Sequence, residues 1–229
     1  MKRLTLSIAI AAVLWFVMFS PWTAPLLNFW WAMTASACVL IALSYLNRPT
    51  PDPSLVGRDA VTPSGRHILH PSLQGRGRGW VCWVCWALLG ILIAIVLWVV
   101  FFVGDKASQW LFDFARPQVN LIYDMKTGNQ PWLIALLLLF IIGPAEELFW
   151  RGYVQRTLSA RWSPNTGFLV TTAIYTAVHL PSGNFMLIMA AMVCGIAWGG
   201  LYRLMPQHFP AIVLSHALWD AAAFVWFPF

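Results

Sequence analysis

Acidic and imidazole side chains lie within three apolar stretches of this 229-residue chain. Glu146 and Glu147 are adjacent in the first stretch, and His179 lies near the end of the second. The third stretch contains His216 and Asp220, whose spacing places them on one face of a helix. A carboxylate near the centre of a bilayer costs about 2.5–3.5 kcal/mol, so such groups normally face a polar cavity and have a function there.

These residue types are the components of a site that activates water. A base takes the proton of a water molecule, and hydrogen-bond donors or a metal ion stabilise the oxyanion that then forms. In a metal-free mechanism, Glu146 and His179 hold and deprotonate a water that attacks a peptide carbonyl. His216 supports the oxyanion in that mechanism, and Asp220 fixes the tautomer of His216.

A zinc mechanism uses the same residues in different roles. Glu146, His179 and His216 then ligate a zinc-bound water in an open three-ligand site. Asp220 is either a further ligand or the partner that orients one. The common zinc-protease motif H-E-x-x-H is absent from the sequence. The residues alone therefore do not choose between a zinc mechanism and a metal-free one.

Three further residues are expected to support this set. Glu147 and Arg151 have the spacing of a pair within one helix, which makes Glu147 the structural carboxylate. Glu146 lies about 100° around the same helix and is therefore free to face a cavity. Tyr175 precedes His179 by one helical turn, so both side chains share a face.

Membrane-spanning helices must position these groups. Apolar residues make up 60% of the chain and charged residues only 10%, and the mean hydropathy is +0.70. One core of this size cannot hide so much apolar surface, so lipid must surround most of it. Seven stretches approach the ~20 residues that cross a bilayer. They are residues 4–19, 26–46, 80–103, 132–150, 166–180, 185–202 and 210–228.

The sequence therefore predicts an all-α polytopic protein with about seven transmembrane helices in a single integral-membrane domain, residues 1–229. The net charge of +6 does not indicate a nucleic-acid partner, because the basic residues follow the membrane topology. Only Lys106, Arg116 and Lys126 fall outside the segments that face the cytoplasm if the N-terminus is cytoplasmic. Residues 47–79, rich in Pro, Gly and charge, are predicted to form a flexible cytoplasmic loop.

The helix that contains the two glutamates is predicted to be longer than its apolar stretch. If it ended at Trp150, Glu146 would lie at the inner surface while His179 lies near the opposite end of its own helix. Continuation through Tyr153 and Leu158 places Glu146 near the middle of the membrane. We therefore predict that continuation.

The three motifs together resemble the CPBP intramembrane protease family, which includes CAAX prenyl endopeptidases of the Ras-converting type and bacterial relatives linked to bacteriocin self-immunity. The E-E-x-x-x-R motif of that family is present as Glu146-Glu147 with Arg151. Its F-x-x-x-H motif corresponds to 175–179, and its H-x-x-x-N/D motif to 216–220. The resemblance covers residues 133–224 and predicts a protease core over 132–226.

This resemblance implies that Glu146, His179 and His216 form the catalytic set, with Asp220 assisting. Tyr175 replaces the commoner Phe and adds a hydroxyl near the site. Asp220 stands where Asn also occurs, and an ionised carboxylate cannot donate to an oxyanion, so it orients His216 or binds a metal instead. The family has been described both as metalloproteases and as glutamate-type proteases, so the resemblance also leaves zinc open.

The sequence thus predicts an intramembrane endopeptidase that acts on a hydrophobic or membrane-anchored protein. The expected location is the lipid bilayer of a bacterial cytoplasmic membrane. The sequence assigns no oligomeric state. A non-catalytic bacteriocin-immunity or scaffold protein is one alternative. A proton-coupled transporter is another, in which Glu146, His179 and Asp220 form a proton relay. Broken helices paired in two repeated halves would favour a transporter, and the sequence shows none.

Overall fold

The computed structural model describes residues 1–47 and 76–229, and within the second range it describes the side chains of 83–229. Every regular element in these ranges is helical. The predicted loop at 47–79 lies mostly outside the described residues. Its last residues differ from the prediction, because a helix already begins at Arg76.

We number eight helices in the described ranges. They are α1 (Lys2–Phe19), α2 (Phe29–Leu46), α3 (Arg76–Leu111), α4 (Ala115–Asp124), α5 (Pro131–Arg161), α6 (Pro164–Ala177), α7 (Phe185–Leu204) and α8 (Phe209–Ala221). A π-helical turn, Ala222–Trp226, continues α8. Short 3-10 turns precede α2, α7 and α8.

Six helical segments in the described ranges are long and apolar enough to cross a membrane. They are Lys2–Phe19, Phe29–Leu46, Trp83–Leu111, Pro131–Arg161, Phe185–Leu204 and Pro206–Trp226. The remaining predicted stretch, 166–180, forms α6, which has 14 residues. At a rise of about 1.5 Å per residue, α6 is shorter than the hydrocarbon layer is thick. The protein is an all-α polytopic membrane protein, and its predicted cytoplasmic N-terminus stays a prediction.

Apolar side chains cover much of the outer surface of these helices. On α3, Leu88, Ile95 and Val99 are all exposed, and α1 exposes Leu6 and Val13. A soluble protein of this size rarely shows such continuous apolar surface. These side chains are therefore placed to contact acyl chains.

Helix α5 confirms the predicted continuation. It runs for 31 residues without a break and includes Tyr153 and Leu158. Two π-helical turns, Leu138–Ile142 and Trp150–Gln155, lie on either side of a regular α-helical segment. Each π turn shifts which side chains share a face, and such turns occur frequently at functional sites. The segment between them, Gly143–Phe149, contains both glutamates.

The backbones of α5 and α8 come very close beside these glutamates. A Cβ atom built on Gly143 would lie 2.8 Å from the Cα of Ala217. Ala217 directly follows His216 in α8. The missing side chain at position 143 therefore sets the distance between the glutamate-bearing helix and a histidine-bearing one.

We expect Gly143→Ala to lower the free energy of unfolding by about 1–3 kcal/mol, because an added methyl group would meet backbone atoms that cannot swing away. Thermal unfolding in detergent measures this change. Gly104→Ala is the matched control, since a Cβ there meets nothing within 4 Å. Equal melting temperatures for the two variants would contradict the prediction.

Candidate active site

One cavity of about 680 Å³ is lined by all four residues that the sequence predicts to be catalytic. Glu146 reaches it from α5, His179 from the turn after α6, and His216 and Asp220 from α8. Most of the remaining lining is apolar and comes from the other helices; examples are Phe19, Trp30, Phe101, Ile122 and Met189. The fold therefore brings the three motifs to one place, and their catalytic roles stay predictions.

Glu146 is held by one strong hydrogen bond and keeps its other oxygen free. The Tyr175 hydroxyl donates to Oε2 of Glu146 over 2.8 Å, and both side chains are buried. Among the residues that the structure describes, none donates to Oε1 of Glu146. This oxygen is available to a water molecule in the cavity.

Glu147 connects α5 to α8. Its Oε1 accepts a hydrogen bond from Arg151 Nη1 over 2.8 Å and lies 2.7 Å from Nδ1 of His216. Arg151 Nη2 also donates to the backbone carbonyl of Cys194 in α7, over 3.2 Å. The predicted pair of Glu147 and Arg151 is confirmed. The contact between Glu147 and His216 was not predicted.

This contact corrects the predicted role of Asp220. Because a carboxylate only accepts, Nδ1 of His216 carries a hydrogen, and Glu147 determines the tautomer. Asp220 was predicted to do this, but its Oδ2 lies 3.5 Å from Nε2, on the other side of the ring. Trp198 stacks on the imidazole at 3.7 Å between centroids and 14° between planes. The hydrogen on Nδ1 and the orientation of the His216 ring are therefore both fixed.

His179 has a hydrogen-bond partner at each ring nitrogen. Nδ1 lies 2.7 Å from the Tyr175 carbonyl oxygen, which can only accept, so Nδ1 carries the hydrogen. The lone pair on Nε2 accepts from the indole N–H of Trp15 over 3.1 Å. Trp15 belongs to α1 and is 1% exposed. The motifs do not include it.

Sequence reasoning also missed Trp198 and Gln155. Gln155 follows Arg151 by one helical turn, and its Nε2 donates to the carbonyl of Gly199 over 2.8 Å. The series of Glu147, Arg151 and Gln155 was visible as polar residues four apart in an apolar helix. Trp15 and Trp198 carried no such signal, because their partners lie on other helices.

The predicted zinc ligands do not fit a metal in this arrangement. A catalytic zinc site needs three side chains whose lone pairs converge. The Nδ1 contacts of His216 and His179 are compatible with a metal at Nε2. The Nε2 lone pair of His179, however, already accepts a hydrogen bond from Trp15. In the described ranges, no three His, Cys, Asp or Glu side chains form a group suited to a metal ion. No catalytic step is therefore assigned to zinc below.

Comparison with known families agrees with the motifs. Residues 128–222 match the Rce1-like family model, described as type II CAAX prenyl endopeptidase Rce1-like. The match contains every motif residue and leaves α1 to α4 outside. No curated protein and no solved structure matches the chain. The segment 128–222, which carries Glu146, His179, His216 and Asp220, is thus similar to the Rce1-like family of CAAX-type membrane proteases.

Proposed function

We propose that this protein is an intramembrane endopeptidase that hydrolyses a peptide bond in a membrane-associated or hydrophobic protein. The observation that carries the proposal is the shared cavity, in which a carboxylate with a free oxygen and an oriented imidazole face the same space. The match of segment 128–222 to a protease family model supports the same reaction class.

Glu146 is the proposed general base. Its free Oε1 takes a proton from a water molecule while the water oxygen attacks the carbonyl carbon of the scissile bond. Tyr175 holds the other oxygen and so limits rotation of the carboxylate. When the tetrahedral intermediate collapses and the C–N bond breaks, Glu146 returns the proton to the leaving nitrogen.

His216 is the proposed donor to the oxyanion. Glu147 binds Nδ1, and Asp220 lies beside Nε2, so two carboxylates flank the ring. Donation to the oxyanion from Nε2 uses the doubly protonated imidazole, in which Nδ1–H stays bound to Glu147. His179 is the second proposed ligand of the water, and its use requires the lone pair on Nε2.

The cavity lining supports an apolar substrate. Aromatic and aliphatic side chains from α1, α2, α3, α4 and α7 surround the polar residues. A hydrophobic peptide segment, or one that carries a lipid as the description of the family suggests, buries its apolar surface there. The predicted bacterial cytoplasmic membrane remains the expected location.

Tyr175→Phe is expected to lower the free energy of unfolding by about 1.5–3 kcal/mol, because it removes a buried hydrogen bond to a carboxylate. Chemical unfolding in detergent measures the change. Tyr202→Phe serves as the control, because the structure assigns the Tyr202 hydroxyl no hydrogen bond among the described residues. A Tyr175→Phe protein as stable as the wild type would show that the hydroxyl does not hold Glu146.

A comparison of protein termini tests the proposed function. New N-termini in membrane proteins should be present in cells that carry the wild-type protein and absent with Glu146→Gln. The same comparison identifies the substrate. A scaffold or immunity protein predicts unchanged termini and retained function in the variant, and a transporter predicts unchanged termini with altered proton-coupled uptake.

A further inference from the structure

We propose that Trp15 is a positioning residue of this site that acts through His179. Its indole N–H competes with the attacking water for the single lone pair of the imidazole, so the described arrangement is the closed state of His179. The role of the water rests on the proposed function. The hydrogen bond and its effect on His179 do not.

The proposal follows from the atoms available on the ring. Nδ1 uses its hydrogen on the Tyr175 carbonyl, so it offers nothing to a water. Nε2 has one in-plane lone pair, and Trp15 occupies it at 3.1 Å. A water can bind His179 through a full hydrogen bond only when the indole N–H releases this lone pair.

Trp15 is held firmly where it makes this contact. Its side chain is almost completely buried and meets Trp150 of α5 edge to face, at 6.3 Å between centroids. One turn further along α1, Phe19 lines the cavity and lies 5.5 Å from the His179 ring. Helix α1 therefore approaches His179 with two aromatic side chains, although it lies outside the segment that matches the family.

The hydrogen bond between Trp15 and His179 is weak enough for substrate binding to break it. A hydrogen bond between neutral partners contributes about 0.5–1.5 kcal/mol, which corresponds to a roughly 2- to 12-fold change in the population of free Nε2. A contact of this size protects the nitrogen in the resting protein. It is also weak enough for an entering substrate and water to displace.

Chemical modification tests the effect on His179 without any substrate. Diethyl pyrocarbonate reacts with an unprotonated imidazole nitrogen, and mass spectrometry of the His179 peptide gives the rate. We expect Trp15→Phe, which keeps an aromatic ring but removes the N–H, to raise this rate roughly 2- to 12-fold. Trp98→Phe is the matched control, because it also deletes an indole donor, one that bonds to the Phe227 carbonyl. An unchanged rate at His179 in folded Trp15→Phe overturns the proposal.

A second measurement requires no variant. In the wild-type protein labelled with ¹⁵N, the bond predicts a scalar coupling between Trp15 Nε1 and His179 Nε2. Its absence in the folded protein overturns the proposal even if Trp15→Phe fails to fold.

Peptidase assays then separate this inference from the proposed function. If both are correct, His179 in Trp15→Phe is modified faster than in the wild type, and the variant also cleaves peptide faster at saturating substrate. Faster modification together with slower cleavage shows that the bond orients His179 for catalysis, and this overturns the competition with water. If no variant or wild-type protein cleaves any peptide, the proposed function fails, while the modification rates still decide the role of Trp15.

Discussion

Glu146→Gln is expected to leave the protein inserted and folded while it lowers the cleavage rate by about 10²–10⁴-fold, the usual contribution of a general base. Glutamine has nearly the same volume, and its amide oxygen still accepts the bond that Tyr175 donates to Glu146 Oε2. An amide cannot take a proton from water at neutral pH, so only the base is lost. Rates measured with purified protein in lipid vesicles test this expectation.

The control for this variant is a substitution of the same kind outside the cavity. Asp113 is exposed and does not line the cavity, so Asp113→Asn should cleave at the wild-type rate. Full activity in Glu146→Gln would remove the proposed base. Loss of folded protein in this variant would mean instead that Glu146 has a structural role.

Arg151→Met is expected to give the largest loss of stability, about 3–5 kcal/mol, because it leaves a buried carboxylate without its cation. Glu147 is 0% exposed and Arg151 1% exposed, and their bond spans one helical turn. The loss of the Arg151 bond to the Cys194 carbonyl adds to this effect and loosens α5 from α7. Unfolding titrations followed by tryptophan fluorescence measure the difference.

An ion pair with an exposed cation supplies the comparison for Arg151→Met. Lys106 lies 3.3 Å from Asp105, but 54% of its side chain is exposed. Removing such a charge changes stability by only about 0–1 kcal/mol, so Lys106→Met should unfold close to the wild type. Similar losses in the two variants would show that the bond between Glu147 and Arg151 is not a buried structural pair.

Patterns that depend on neighbours along one helix were readable from the sequence. The apolar stretches, the pair of Glu147 with Arg151 and the continuation of α5 through Tyr153 and Leu158 all follow from helical periodicity and bilayer thickness. The exception is α6, whose 14 residues do not form the membrane-spanning helix predicted for its apolar stretch. Apolar composition continues past its end, so hydropathy did not mark where the helix stops.

The partners of the two histidines were not readable in this way. His216 bonds to Glu147, 69 residues away, and His179 accepts from Trp15, 164 residues away. The nearer candidate for His216, Asp220, has ideal helical spacing but lies at 3.5 Å. Spacing showed which groups share a face, and packing of separate helices decided which of their atoms meet.

The amino-acid sequence alone determined that lipid surrounds this chain and that the acidic and imidazole groups of the three motifs lie within three apolar stretches. Both conclusions rest on local properties, namely side-chain polarity and the 3.6-residue helical period. Only the tertiary structure decided that Glu147 orients His216 and that the indole N–H of Trp15 donates to Nε2 of His179. A hydrogen bond between helices depends on differences of about an ångström in how they pack, which no pattern along one helix encodes.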